Sequence, residues 1–291
     1  MDNERYPFWP LPERPAIQWP NGARVALWII PNVEHFHYDK RIVEAAPNAT
    51  VPDVPSYASR DYGNRVGIWR LMDLLDKYGI RGTVALNADV CRYEPQVVRA
   101  GMERNWEWMG HGITNSERLA GLSEEHEREA IRAAVETIGE FTGRAPRGWL
   151  GPAMAENFDT PDLLAEHGIE YVGDWTADDQ PFPMRVKQGR LISVPYTGEL
   201  NDIRAFIRQN QTPEQFCQFI CDQFDVLYEE GAQSGRVMAV ALHPFLIGHP
   251  FRIKWLDKAL AHVTQHPDVW LATGGEIADW YYQHYYDQAP R

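Results

Sequence analysis

The 291-residue chain has little cysteine, little positive charge and no long apolar run, and each shortage excludes a class of protein. Three cysteines cannot build a disulfide framework, which excludes a disulfide-stapled secreted domain. Lys and Arg number 28 against 41 Asp and Glu, so the formal net charge is -13. Such a chain repels phosphate backbones, and we expect no nucleic-acid partner. No run of 18 apolar residues is present, so we expect no membrane partner either.

The N-terminal residues predict the cellular location of the protein and an extended N-terminal segment. Residues 1–5 lack a basic start followed by an apolar core, which predicts a cytoplasmic protein. Residues 1–22 are rich in Pro and Trp, and because proline blocks regular ladders they predict an extended arm lying on the body. Its aromatic side chains would pack on the same chain or on a neighbouring subunit, so we expect a homo-oligomer. Residues 23–291 then form one catalytic domain.

Short apolar strands alternate with amphipathic helices after the arm. Residues 25–30 and 237–242 are uninterrupted apolar runs, typical of strands buried on both faces. Thr212 and Thr273 each begin a capping box that opens a helix. About seven such strand–helix repeats predict an α/β barrel.

Two polar motifs directly follow predicted strands. Residues 31–35 (Pro-Asn-Val-Glu-His) follow the first strand, and residues 110–115 (Gly-His-Gly-Ile-Thr-Asn) follow the third. Because α/β barrels keep their chemistry at the carboxyl ends of strands, these motifs predict an active site. The long segment from Phe36 to Tyr62, which has no clear periodicity, is expected to cover the barrel mouth.

The order of motifs resembles the polysaccharide deacetylase superfamily over residues 24–278. The matching positions are Asn32 and Glu34, His111 and Asn115, Arg147-Gly148-Trp149, Asp174-Trp175, and Leu242-His243. The resemblance implies a deformed (β/α)7-type barrel and an amide hydrolase. In that superfamily the first strand ends in two acidic residues and the third in a pair of histidines, so this chain departs from the pattern at Asn32 and Asn115.

A closer resemblance is to the allantoinase and cyclic imide hydrolase branch. It is carried by the segments 62–70, 194–197, 201–202, 224–228 and 242–248. The allantoinase form also has Asn and Glu at the first-strand positions and lacks the second histidine. This branch implies a hydrolase that opens a small cyclic amide, either an imide or an allantoin-like ureide.

The residues leave a metal-bound and a metal-free site equally open. A catalytic zinc keeps three protein ligands and one open position, and Glu34 with His111 supplies only two. Asn115 is a poor third ligand because a neutral amide oxygen donates weakly, while His35 or His37 could complete the set. Without zinc, Glu34 has to act as the base that activates water.

The resemblance and the residue chemistry together assign the roles. Glu34 activates water or binds a metal, His111 polarises the carbonyl or ligates the metal, and His243 protonates the leaving nitrogen. Arg147 with Asp174 is expected to fix the protonation states and the geometry. The side chains expected to contact the small-molecule substrate are Asn32, Asn115, Trp149, Trp175 and Tyr196.

Two other functions stay open at this point. The chain could be a polysaccharide or sugar N-deacetylase, or a non-catalytic small-molecule binder on the same scaffold. The replaced ligands and the predicted cytoplasmic location disfavour a deacetylase, because polymeric substrates lie outside the cell. The sequence leaves open the ring, the metal, the number of subunits and any movement of the Phe36–Tyr62 segment.

Overall fold

A single curled sheet forms the centre of residues 3–42 and 50–290, which the computed structural model of the chain describes. Its strands are β1 (Val25–Val33), β2 (Thr83–Leu86), β3 (Glu107–Gly110), β4 (Gly148–Trp149), β5 (Tyr171–Val172), β6 (Phe182–Met184), β7 (Leu191–Ser193), β8 (Arg236–Leu242) and β9 (Val269–Leu271). Every residue of β1 and β8 is buried, which explains their uninterrupted apolar runs.

The strand order is β6-β7-β5-β4-β3-β2-β1-β8, with β9 paired to the start of β1. Neighbours pair in parallel except β6 and β7, which are antiparallel. Parallel pairing brings the carboxyl ends of the strands to one rim of the sheet. The motifs that follow β1, β3 and β8 therefore meet at this rim.

Helices cover the outside of the sheet. They are α1 (Val54–Tyr62), α2 (Ile68–Lys77), α3 (Ala88–Tyr93), α4 (Pro95–Glu103), α5 (Glu124–Thr142), α6 (Thr160–Glu166), α7 (Pro213–Glu230), α8 (Pro244–Ile247), α9 (Pro250–Thr264) and α10 (Gly274–His284). Thr212 and Thr273 make the predicted capping boxes of α7 and α10. Within the described part of the chain, no helix has the length and apolar character needed to cross a membrane.

The sheet nearly closes on itself between β7 and β8. After β7 the chain runs to Asn201, which forms a parallel bridge with Ala241 of β8. Near the amino end of β8, the Val237 N–H donates to the Asp179 carbonyl at 2.8 Å. These contacts define a seam, from here on the β8 seam, in which few backbone bonds replace a full ladder. The predicted α/β fold of the deformed-barrel type is confirmed.

The segment from Phe36 to Tyr62 contains a helix that the sequence pattern did not predict. Asp53 caps α1 by accepting the Ser56 N–H at 3.2 Å. No α1 side chain is fully buried, so the apolar periodicity that announces a helix is weak here. Residues 43–49 of the expected cover lie outside the described residues. The turn that follows α1 does reach the rim, where Asn64 donates to the Glu34 carbonyl at 2.8 Å.

The described part of the N-terminal arm lies against the body. Trp19 is buried and its indole N–H donates to the Arg236 carbonyl at 2.9 Å. Arg14 donates to Asp178 at 2.7 Å, which fixes the middle of the arm. The predicted contact of the arm with a second subunit stays a prediction.

Candidate active site

A cavity of about 160 Å³ opens at the carboxyl ends of the strands. Asn32 is the penultimate residue of β1, Glu34 directly follows β1, and His111 directly follows β3. His243 directly follows β8. Six of the side chains expected at the site line this cavity: Asn32, Glu34, His111, Asn115, Tyr196 and His243.

Glu34 lies at the centre of this group. Its Oε1 is 3.6 Å from Nε2 of His111 and also 3.6 Å from Nε2 of His243. The Glu34 side chain is only 7% exposed. Burial by itself raises the pKa of this carboxyl, but His111, the charge of His243 and the charge of Arg60 outweigh it and lower the pKa. Glu34 is therefore a carboxylate at neutral pH, buried and ready to accept a proton.

Asp202 holds His243 from behind. One Asp202 oxygen lies 2.6 Å from His243 Nδ1, and the other accepts the His243 backbone N–H at 2.8 Å. Burial lowers the pKa of His243, but the adjacent Asp202 and Glu34 carboxylates outweigh it and raise the pKa. His243 is thus favoured as an imidazolium whose Nε2–H faces Glu34.

A single peptide group orients His111. His111 Nδ1 lies within hydrogen-bond distance of the Leu150 carbonyl, so Nδ1 carries a proton and Nε2 faces the cavity. The N–H of the same peptide, that of Gly151, donates to both Asp174 oxygens at 2.8 and 3.1 Å. Asp174 thus positions His111 through the Leu150–Gly151 peptide.

Asp174 forms a carboxyl pair with Glu156. The two carboxyl groups are hydrogen-bonded to each other, and the Trp175 indole N–H donates to Glu156 at 3.1 Å. Burial raises the pKa of Glu156 to about 7, and burial together with the neighbouring Glu156 raises the pKa of Asp174 well above its usual range. The pair therefore holds a proton near neutral pH, because two buried carboxylates in contact repel each other.

Amide and phenol groups line the rest of the cavity wall. Asn115 Oδ1 accepts from Asn87 at 3.1 Å, which turns the Asn115 amide N–H groups toward the cavity. On the opposite wall Asn201 donates to the Tyr196 hydroxyl at 3.4 Å. That hydroxyl donates to Asn32 at 3.5 Å. Burial raises the pKa of Tyr196, so it stays a neutral phenol and a hydrogen-bond donor.

The described residues do not fit a protein-bound zinc ion. No group of three or more His, Cys, Asp or Glu side chains in residues 3–42 and 50–290 has an arrangement that holds a metal. His35 and His37, the expected alternatives for a third ligand, are engaged by Glu94 at 3.0 Å and by Asp89 at 2.8 Å.

Four expected site residues do not line the cavity. Asp174 supports His111 from behind, whereas Arg147, Trp149 and Trp175 lie elsewhere, and the predicted position of Arg147 is wrong. Arg147 precedes β4, at the opposite end of the barrel, and its guanidinium binds Glu170 and Asp279 rather than Asp174 or Glu34. The expectation fails because a residue before a strand lies a full strand length from the rim.

Trp149 and Trp175 also lie outside the cavity. Trp149 is completely buried in the core, where its ring fills the space that a side chain at Gly110 would occupy. Trp175 packs edge-on against Tyr6 of the arm, with ring centroids 5.6 Å apart. Neither ring lines the cavity in which substrate contact was expected, and Trp175 instead supports the Glu156–Asp174 pair.

Sequence reasoning missed several groups at the site. Asp202 lies 41 residues before His243, so no local spacing connects the two. The neighbouring pair Asn201-Asp202 belongs to a segment that carried the branch resemblance, and that was its only signal. Three arginines at the cavity mouth, Arg118, Arg204 and Arg208, gave no signal at all.

Known proteins are similar to this chain over most of its length. The family model for polysaccharide deacetylase matches residues 50–172. A solved structure of a probable polysaccharide deacetylase from Pseudomonas aeruginosa PAO1 is 30% identical, with a TM-score of 0.84, over 93% of this chain and 95% of that chain. The structure of PuuE allantoinase is 27% identical, with a TM-score of 0.84, over 93% of this chain and 94% of that one. A peptidoglycan deacetylase from Helicobacter pylori is 26% identical over 78% of this chain and 88% of that protein.

The Glu156–Asp174 pair predicts that stability depends on pH. The pKa of Glu156 is raised from 4.5 to about 7 in the folded chain, so the folded state binds the proton more tightly than the unfolded state. The resulting stability is fully present below pH 4.5 and is lost as the pH rises through 7. Glu156→Gln keeps the hydrogen bonds but lacks the charge. Between pH 5 and pH 8, we expect the unfolding free energy of the wild type to fall by about 2 kcal/mol more than that of the variant.

Urea denaturation of the wild type and the variant at both pH values measures this difference. Glu140→Gln, an exposed change on α5, serves as the matched control and should follow the wild type. Parallel pH dependence in the wild type and Glu156→Gln would show that the pair holds no extra proton.

Proposed function

This chain belongs to the polysaccharide deacetylase family, and we propose that it is an amidohydrolase that opens a small cyclic amide, either an imide or an allantoin-like ureide. The observation that carries the proposal is the Glu34 carboxylate held 3.6 Å from both His111 and His243 in a small cavity. The 27% identity with PuuE allantoinase over nearly the whole chain supports a cyclic substrate.

Cyclic imides and ureides suit a site whose residues do not fit a metal. Their carbonyls are more electrophilic than that of an acetamide, and a second carbonyl stabilises the departing nitrogen. A protein base and a protein acid then need to lower the activation barrier by less than in the cleavage of a simple amide.

The proposed reaction adds one water molecule and breaks one C–N bond. Glu34 accepts a proton from water as the water oxygen bonds to the ring carbonyl carbon. The Asn115 amide N–H groups face the cavity and donate to the oxygen that becomes negative. The His243 Nε2 proton passes to the ring nitrogen as the C–N bond breaks, and Asp202 stabilises the imidazolium before that transfer. The product is a carboxylic acid that also carries an amide or a urea.

His111 acts beside Glu34. Because its Nδ1 proton is bound by the Leu150 carbonyl, only Nε2 can face water or substrate. His111 Nε2 contacts the attacking water and aligns it between the ring and Glu34. This places the water within reach of both groups, which are 3.6 Å apart.

Sugar N-deacetylation is the second candidate. It is favoured by the names of similar proteins, which include a probable polysaccharide deacetylase and a peptidoglycan deacetylase. An acetamide has no second carbonyl to stabilise its departing nitrogen. The same base and acid would therefore have to lower a higher activation barrier.

A panel of substrates separates the candidates. We expect succinimide, hydantoin, dihydrouracil or allantoin to be opened, and chito-oligosaccharides to keep their acetyl groups. Glu34→Gln should lower kcat by about 10³-fold, because a neutral amide cannot accept the proton from water. Glu125→Gln, an exposed change on α5, is the control and should keep full activity. Release of acetate without opening of any ring would reject the cyclic substrate. Full turnover by Glu34→Gln would reject the assigned base.

The Asp202–His243 pair predicts how the rate of ring opening decreases at high pH. The rate of ring opening should fall at high pH as His243 loses its proton. Asp202→Asn removes the charge that raises the pKa of His243, so this fall should move to lower pH. The profile of kcat/KM against pH measures the shift.

Asp225→Asn is a matched control for Asp202→Asn. Asp225 contacts His262 at 2.7 Å on the surface, far from the cavity. The profile of this variant should coincide with that of the wild type. An unchanged alkaline limb in Asp202→Asn would remove His243 from the role of acid.

The donor arrangement predicts activity that does not depend on a metal. Dialysis against a chelator should leave ring opening unchanged, and added zinc should not increase it, because the described residues form no three-ligand set. Activity before and after chelation, with elemental analysis of the protein, measures this. Loss on chelation and recovery with zinc would contradict it.

A further inference from the structure

We propose that the preferred substrate carries a carboxylate on its ring, which Arg118 and Arg208 bind at the mouth of the cavity. This inference rests on the proposed ring opening and names the substrate class more narrowly. The chemical class is a cyclic imide or ureide with one carboxylate substituent.

Two separate loops bring arginines to the mouth. Arg118 lies in the loop between β3 and α5, and Arg204 and Arg208 lie at the two ends of a π-helical turn at 204–208. All three are exposed and line the same cavity as Glu34. The loop of Arg118 is distant in sequence from the turn of Arg204 and Arg208, so only the fold brings the two segments together.

Arg118 and Arg208 lack partners within the described residues. Neither guanidinium makes an ion pair, a hydrogen bond or a ring contact with residues 3–42 or 50–290. Arg204 pairs with Glu199 at 3.0 Å, and both side chains are exposed. Elsewhere in this acidic chain arginines are typically paired, as Arg132 is with Glu129 and Glu136. Two unpaired guanidinium groups at one cavity therefore stand out against a net charge of -13.

The charges of the cavity orient an anionic substrate. Glu34 is a carboxylate at the inner end, and it repels a second carboxylate placed beside it. The arginines at the mouth attract that carboxylate, and a guanidinium binds it through paired N–H donors. The substrate then enters with its ring toward Glu34 and its carboxylate toward the mouth. The same positive charge raises the rate of encounter in a protein whose overall charge repels anions.

Matched ring pairs test the proposal. Dihydroorotate is dihydrouracil with one added carboxylate, and hydantoin-5-acetate is hydantoin with an added carboxymethyl group. We expect the charged member of at least one pair to have a kcat/KM about 10-fold higher, corresponding to about 3-fold for each exposed arginine. The advantage should lie mainly in KM and should shrink as salt is added.

Substitution of the arginines gives the decisive measurement. Arg118→Gln and Arg208→Gln should each reduce the ratio of charged to neutral kcat/KM by about 3-fold, and the double variant should bring it close to one. Arg144→Gln is the control, because Arg144 is an exposed arginine at the opposite end of the barrel. Its ratio should equal that of the wild type.

The outcomes distinguish this inference from the proposed function. Opening of neutral rings with no preference for charged ones, and no change of the ratio in the double variant, would overturn the inference and keep the function. If no ring of either kind is opened, the function fails. Calorimetric binding of hydantoin-5-acetate and hydantoin to Glu34→Gln then tests the arginines by themselves. Tighter binding of the charged ligand, lost in the double variant, supports the inference, and equal binding overturns it.

Discussion

Glu34 is a buried carboxylate that two imidazole rings and a guanidinium keep charged, and the other features of the site serve that arrangement. Burial alone would protonate the group and remove its ability to take a proton from water. His243 opposes this only because Asp202 favours its charged form, and His111 keeps its orientation only because a peptide carbonyl holds Nδ1. Each of these supports arrives on a different strand or loop. The parallel sheet is what makes them neighbours, since it brings the ends of β1, β3 and β8 to one rim.

Much of this arrangement could be predicted from the sequence. Glu34, His111 and His243 each follow a recognisable strand directly, and the rule that strand ends carry the chemistry places all three at the rim. The same rule shows why Arg147 was misplaced, because its motif begins before β4 and the side chain emerges at the opposite end of the barrel. Trp149 failed for a related reason, since it lies within β4 and points into the core. Position relative to the strand end, more than residue type, decided which of the predicted side chains reach the cavity.

The parts that could not be predicted are contacts between distant segments. Asp202 depends on the loop after β7 folding back against β8, and no pattern within either segment reveals that contact. The link from Asp174 to His111 runs through a backbone peptide, which has no sequence signature. Helix α1 was missed because its side chains remain at least partly exposed, so the apolar periodicity on which helix prediction relies is absent. Sequence patterns report burial and chain direction, and they are silent about individual hydrogen bonds.

The β8 seam carries a consequence for inactivation. Asn201, whose bridge to Ala241 holds the seam, is the immediate neighbour of Asp202, and few backbone bonds secure that side of the sheet. Regions with sparse bonding open at lower free-energy cost than the rest of a domain. Parting of this seam withdraws Asp202 from His243 while the other strands remain paired. Gentle warming should therefore separate Asp202 from His243 before the helices melt, because Asp202 directly follows the residue that bridges this sparsely bonded side of the sheet.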